Sequence, residues 1–119
     1  MRLLAPVLAV SALALVVAGQ GTSAGLVHLA GTVGPGFTIT LKNHGKTVKN
    51  LAPAKYEFVI ADKSKIHNFH LIGPGVNKKT SVAAVGTKRW ILTLRAGTYR
   101  YVCDPHKAIM HGKFVVRAP

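Results

Sequence analysis

Acidic residues are scarce in this sequence. Against sixteen lysines and arginines stand three carboxylates, Glu57, Asp62 and Asp104, for a formal net charge of +13. Three are too few for paired-carboxylate catalysis, or for calcium with its about six to eight oxygen ligands. Cysteine is scarcer still. Cys103 stands alone, which excludes an intramolecular disulfide and the Cys-x2-Cys pairs of structural zinc. The basic residues are scattered in ones and twos from Lys42 to Arg117. With no helix-turn-helix or aromatic-basic signature among them, no nucleic-acid partner is expected. The charge points instead to an acidic protein partner or an anionic membrane surface.

A long apolar run occurs once. "MRLLAPVLAVSALALVVAGQGTSAG" places Arg2 before an apolar stretch from Leu3 to Ala18, and small and polar residues follow. This is the layout of a secretory signal, with Thr22-Ser23-Ala24 or Val16-Val17-Ala18 as the cleavage triplet. The run falls short of the roughly 20 residues of a spanning helix and is interrupted by Pro6; an uncleaved anchor is the alternative. No cysteine lies near the cleavage region to carry a lipid. The chain therefore divides into a signal peptide at 1–24 and one domain at 25–119, exported to the periplasm, cell surface or medium. Export makes Cys103 odder, because oxidising compartments favour paired cysteines.

After residue 24 no stretch carries a sustained helical period. "FTITLK" (37–42), "KYEFVIAD" (55–62), "IHNFHLI" (66–72), "RWILTLR" (89–95), "TYRYVC" (98–103) and "KFVVR" (113–117) are short and rich in β-branched and aromatic residues. Glycine and proline punctuate them. Two "GPG" turns, at 34–36 and 73–75, suit Pro at the first corner and Gly at the second. Six or seven strands in a domain of this size predict an all-β antiparallel sandwich around one core.

Cys103 ends one of these strands, with His106, Met110 and His111 close behind. Alternation puts Tyr99, Tyr101 and Cys103 on one face, and Arg100 and Val102 on the other. Pro105 stops the strand, and the loop that follows can curl so that Cys-x2-His-x3-Met converges on one ion. "KIHNFHLIGPG" offers a further imidazole, His67 or His70, which face opposite ways from a regular strand. One thiolate, two imidazoles and a weak axial thioether form the ligand set of blue copper. Met110 suits the long axial bond, with His111 as the alternative. A Cys–His nucleophile is a poor candidate in an exported chain without an orienting acid. His28 and His44, near turns and far from other ligands, read as ordinary polar residues.

"HNFH" at 67–70 and "CDPHKAIMHGKFVV" at 103–116 together resemble the small blue copper proteins, the cupredoxins of the plastocyanin, pseudoazurin and amicyanin type. The resemblance implies a Greek-key β-sandwich over about residues 25–119. It implies one type 1 copper held by His67, Cys103 and His106, with Met110 axial and Asn68 bracing the cysteine loop. The family's x-Gly step after the axial methionine makes His111 the x. Asp104 departs from the Ser or Thr common at its position. The function implied is an exported, plastocyanin-like electron transport protein, cycling Cu(II)/Cu(I) between redox partners, one of them with an acidic docking surface. It would be monomeric and not an enzyme, with no small-molecule substrate. Copper storage or delivery with the same ligands is the alternative. A multicopper oxidase would need His-x-His pairs, which the chain lacks.

Overall fold

Alternation decides which faces meet. In the strand Ala54–Asp62, Tyr56, Phe58 and Ile60 point into the core and are buried. Glu57 points the other way and is covered by Arg89 and His28. A computed structural model describes residues 25–119; the expected signal peptide lies outside the described residues. Ten strands follow in order: β1 Val27–Val33, β2 Ile39–Asn43, β3 Lys46–Thr47, β4 Asn50–Leu51, β5 Ala54–Asp62, β6 His70–Gly73, β7 Val76–Lys79, β8 Gly86–Leu94, β9 Gly97–Val102 and β10 His111–Val116.

They form two five-stranded sheets, ordered β3-β2-β1-β5-β8 and β4-β10-β9-β6-β7. Most neighbours are antiparallel, as the sandwich reading expected. Two pairs are parallel, β1 with β5 and β10 with β4, so both sheets are mixed. Between them Phe69 stacks on Tyr101 at 5.5 Å and Tyr99 on Phe114 at 5.2 Å, each pair nearly parallel. Tyr99 also fixes the turn before its own strand. Its hydroxyl donates to the Arg95 carbonyl at 2.8 Å and accepts from the Arg95 N–H at 3.1 Å, the tyrosine corner of β-sandwiches.

Three differences from the sequence expectation bear on the site. β1 and β7 were not announced: the inner row of β1 reads Leu29, Gly31, Val33, and β7 buries only Val76 beside three polar residues. The segment 66–69 is not strand. His67, Asn68 and Phe69 are buried in succession, but the cross-strand pairing with β7 and β9 begins only at His70. The two "GPG" turns also differ. Gly75 has the expected positive φ of 70°, whereas in the first turn the positive φ of 74° falls on Gly34.

Candidate metal centre

The loop after β9 is shut at its base. Asp104–His106 form a single 3-10 turn with Pro105 inside it. The Cys103 N–H donates to the Met110 carbonyl at 3.0 Å, and the Met110 N–H donates to the His106 carbonyl at 2.9 Å. This closure turns Met110 inward, where it is fully buried. His111 then opens β10, pairs with Val102 and is exposed.

From the other side of the site comes the irregular segment before β6. The Phe69 N–H donates to the Thr80 hydroxyl at 2.9 Å, and the Thr80 N–H returns to the Phe69 carbonyl at 3.0 Å. Held there, His67 reaches the cysteine loop across 36 residues of sequence. Its Nδ1 lies 3.6 Å from Cys103 Sγ and 3.1 Å from His106 Nδ1, and His106 Nδ1 lies 3.5 Å from Sγ. The point equidistant from these atoms lies about 2 Å from each, against metal–nitrogen and metal–sulfur bonds of roughly 2.0–2.1 and 2.3 Å at zinc. The triangle has the size of a first-row metal's trigonal plane.

His67 and Cys103 are inaccessible, while His106 is half-buried. Phe37 stands edge-on to both imidazoles, at 5.2 Å from His67 and 5.0 Å from His106. Gly34 backs onto His67, so a Cβ there would crowd Ser64 and approach His67 Cδ2 at 3.3 Å. With φ positive as well, the position admits glycine and little else.

A polar network braces the thiol. The Asp104 N–H donates to Asn68 Oδ1 at 2.7 Å, and Asn68 Nδ2 donates to Asp104 Oδ2 at 2.8 Å. The Asn68 N–H points at Cys103 Sγ from 3.5 Å. Asp104 Oδ1 meets His70 Nδ1 at 2.8 Å, and His70 Nε2 meets Asn77 Oδ1 at 2.6 Å. Burial alone would raise the Asp104 carboxyl. The hydrogen bonds from His70 and Asn68, with the His70 and Lys107 charges, outweigh it and hold the group below the usual carboxylate range. Asp62 goes the other way: burial pushes it up against the Ser64 N–H and the nearby His67.

The family model for copper-binding proteins of the plastocyanin/azurin family matches residues 30–117. The chain belongs to this family. Solved structures of rusticyanin, a copper protein, share its fold. The rusticyanin of Thiobacillus ferrooxidans is 26% identical, with 77% of each chain covered and a TM-score of 0.54. A reduced rusticyanin matches at 26% identity over 77% of this chain and 79% of that one, with a TM-score of 0.56. A methionine-to-glutamine mutant gives 26%, 77%, 78% and 0.58 in the same terms. No curated protein matches the chain significantly.

For a plastocyanin/azurin-type protein the cofactor is copper, and the donor set fits one type 1 ion: two imidazole nitrogens and one thiol sulfur, all converging. Of the four sequence candidates, the structure brings His67, Cys103 and His106 to one point and buries Met110 at the same loop. It sends His70 into the bracing network and leaves His28 on Glu57 at 3.2 Å. Sequence reasoning missed Phe37, which it placed in a strand that in fact begins at Ile39. The only signal was an aromatic directly after a glycine-proline turn.

Proposed function

We infer that the chain is an exported electron carrier in which His67, Cys103 and His106 would hold one copper, with the Met110 thioether as the weak fourth donor. When bound, copper supplies a one-electron Cu(II)/Cu(I) couple. The protein's part is to keep its donors still. The closed loop and the Asn68–Asp104 clasp resist the rearrangement that each oxidation state would otherwise favour. The burial of Met110 and the exposure of His111 support the thioether as the axial donor.

The observation that carries the electron-transfer reading is the inequality of the three corners. Two are sealed, and His106 alone is reached by solvent, which makes it the route for an electron. Around these corners Phe37, Ile66 and Ile109 are 55%, 54% and 64% exposed. Large exposed apolar side chains grouped at a redox group suit brief contact with a partner. No substrate is transformed, so the protein is not an enzyme in this account.

Loading the chain with Cu(II) and recording visible and electron paramagnetic resonance spectra tests the ligand set. Cys103→Ser should lose the intense charge-transfer band and keep a folded β domain by circular dichroism. An equally coloured variant overturns the thiolate assignment. Rapid one-electron exchange with retention of copper supports the carrier, whereas ready loss of copper to an acceptor supports storage or delivery. Cell fractionation and the mass of the mature protein check export and removal of residues 1–24.

A further inference from the structure

Strand register carries basic residues to one face beside the copper loop. Lys79, His70, Val102 and His111 are successive cross-strand partners over β7, β6, β9 and β10; Asn77, Ile72, Arg100 and Lys113 form the next such row on the same face. Leu71 and Tyr101, between the rows, point inward and are buried, so both rows lie on the outer face. There Arg100, Lys107, His111 and Lys113 surround a groove of about 570 Å³ floored by Val102 and Gly112.

Two features make this groove unlike ordinary basic surface. Arg100 stands directly opposite Lys113, and like charges in that position destabilise a sheet. Neither has a carboxylate partner among the described residues. Glu57 is taken by His28 and Arg89, Asp104 is taken by His70, and Asp62 is buried in the other sheet. The groove also begins at the site, since Lys107 follows His106 and His111 follows Met110.

We propose that this groove is the docking site for an acidic segment of the redox partner, whose Asp and Glu side chains enter between Arg100 and Lys113 while its redox group faces His106. The inference rests on the electron-carrier reading. A guanidinium fork at Arg100 suits bidentate carboxylates, and half-buried Val102 and Ile72 suit the apolar stems of glutamates. A protein segment fits better than a bilayer, because the cations ring a concavity that a plane of headgroups does not enter. The contact sets orientation and encounter rate more than raw affinity.

Backbone amide resonances titrated with a hexaglutamate peptide test the site, on the copper-free chain and on the Cu(I)-loaded chain. Perturbation should concentrate at residues 100–102, 107 and 111–113. Arg100→Gln with Lys113→Gln should weaken binding roughly three- to tenfold, as for loss of two solvent-exposed ion pairs. Lys42→Gln with Lys46→Gln, on the other sheet, should leave it nearly unchanged, and both pairs should keep the blue spectrum. Equal weakening by the two pairs reduces the effect to net charge and overturns the proposal. So do perturbations spread over the surface, or a stronger response at these residues to phosphatidylglycerol vesicles than to the peptide. Because the titration runs without copper, its failure is distinct from failure of the copper site or of electron exchange.

Discussion

The thiol at the site is held by neighbours outside the ligand set. Cys103 depends on Asn68 and Asp104, and Asp104 depends on His70. His67→Ala should therefore abolish the blue spectrum, whereas His70→Ala should keep it and cost about 1–2 kcal/mol of stability through the loss of a charged hydrogen bond, read by urea unfolding. Asp104 gives this clasp a pH window. Because its folded pKa is depressed, its contribution is complete above the ordinary carboxylate value of about 3.9 and is lost as pH falls through the lower folded value. Unfolding free energy should fall more steeply with acid in the native protein than in Asp104→Asn. The axial position separates by chemistry. Met110→Gln should lower the reduction potential, because an oxygen donor favours the oxidised ion, and His111→Ala should change the spectrum little; voltammetry of both variants decides it, and the reverse pattern exchanges the roles. The convergence of Cys103 and His106 was legible because type and spacing within one loop are local facts. Asp104 and His70 were not, because their meaning comes from a contact 34 residues long.

At the level of strands, legibility followed how much of the pattern one residue could break. β5 shows Tyr56, Phe58 and Ile60 in alternation and was read within one residue of its true start. β1 has a glycine in its inner row, and β7 is an edge strand of two lysines and an asparagine, the composition that protects edges and hides them from a search for apolar periodicity. The stretch from His67 to Phe69 was mistaken for strand because its residues have strand character, while the cross-strand pairing begins only at His70. Gly112 links the motif to packing. Any Cβ there would run into the Tyr101 ring, which lies across from it in the paired strand. Gly112→Ala should cost about 1–3 kcal/mol by overpacking, measured by urea unfolding, and should broaden the copper spectrum as β10 shifts Met110. An alanine variant of unchanged stability would mean that Tyr101 moves freely.

Across the whole molecule, charge acts over a longer range than any of these contacts. Of the fifteen lysines and arginines from Lys42 to Arg117, Arg89 alone meets a carboxylate within ion-pair distance among the described residues. Electron transfer to an acidic partner should slow as salt shortens the screening length to about 8–10 Å near physiological strength; stopped-flow rates that ignore ionic strength would remove that steering. Topology has a second consequence, for the order of events in folding. His67 precedes β6, but the loop bearing Cys103 and His106 is shut only when β10, made after every other described strand, inserts between β4 and β9. Until then the one thiol of the chain stands open to oxidants and to stray soft metals. The thiol is thus most vulnerable before β10 docks, and metal capture belongs after folding rather than before it. A chain ending at Met110 should have Cys103 alkylated rapidly by iodoacetamide, while in the full chain the same sulfur, with no accessible surface, should react only as fast as the last strand comes away.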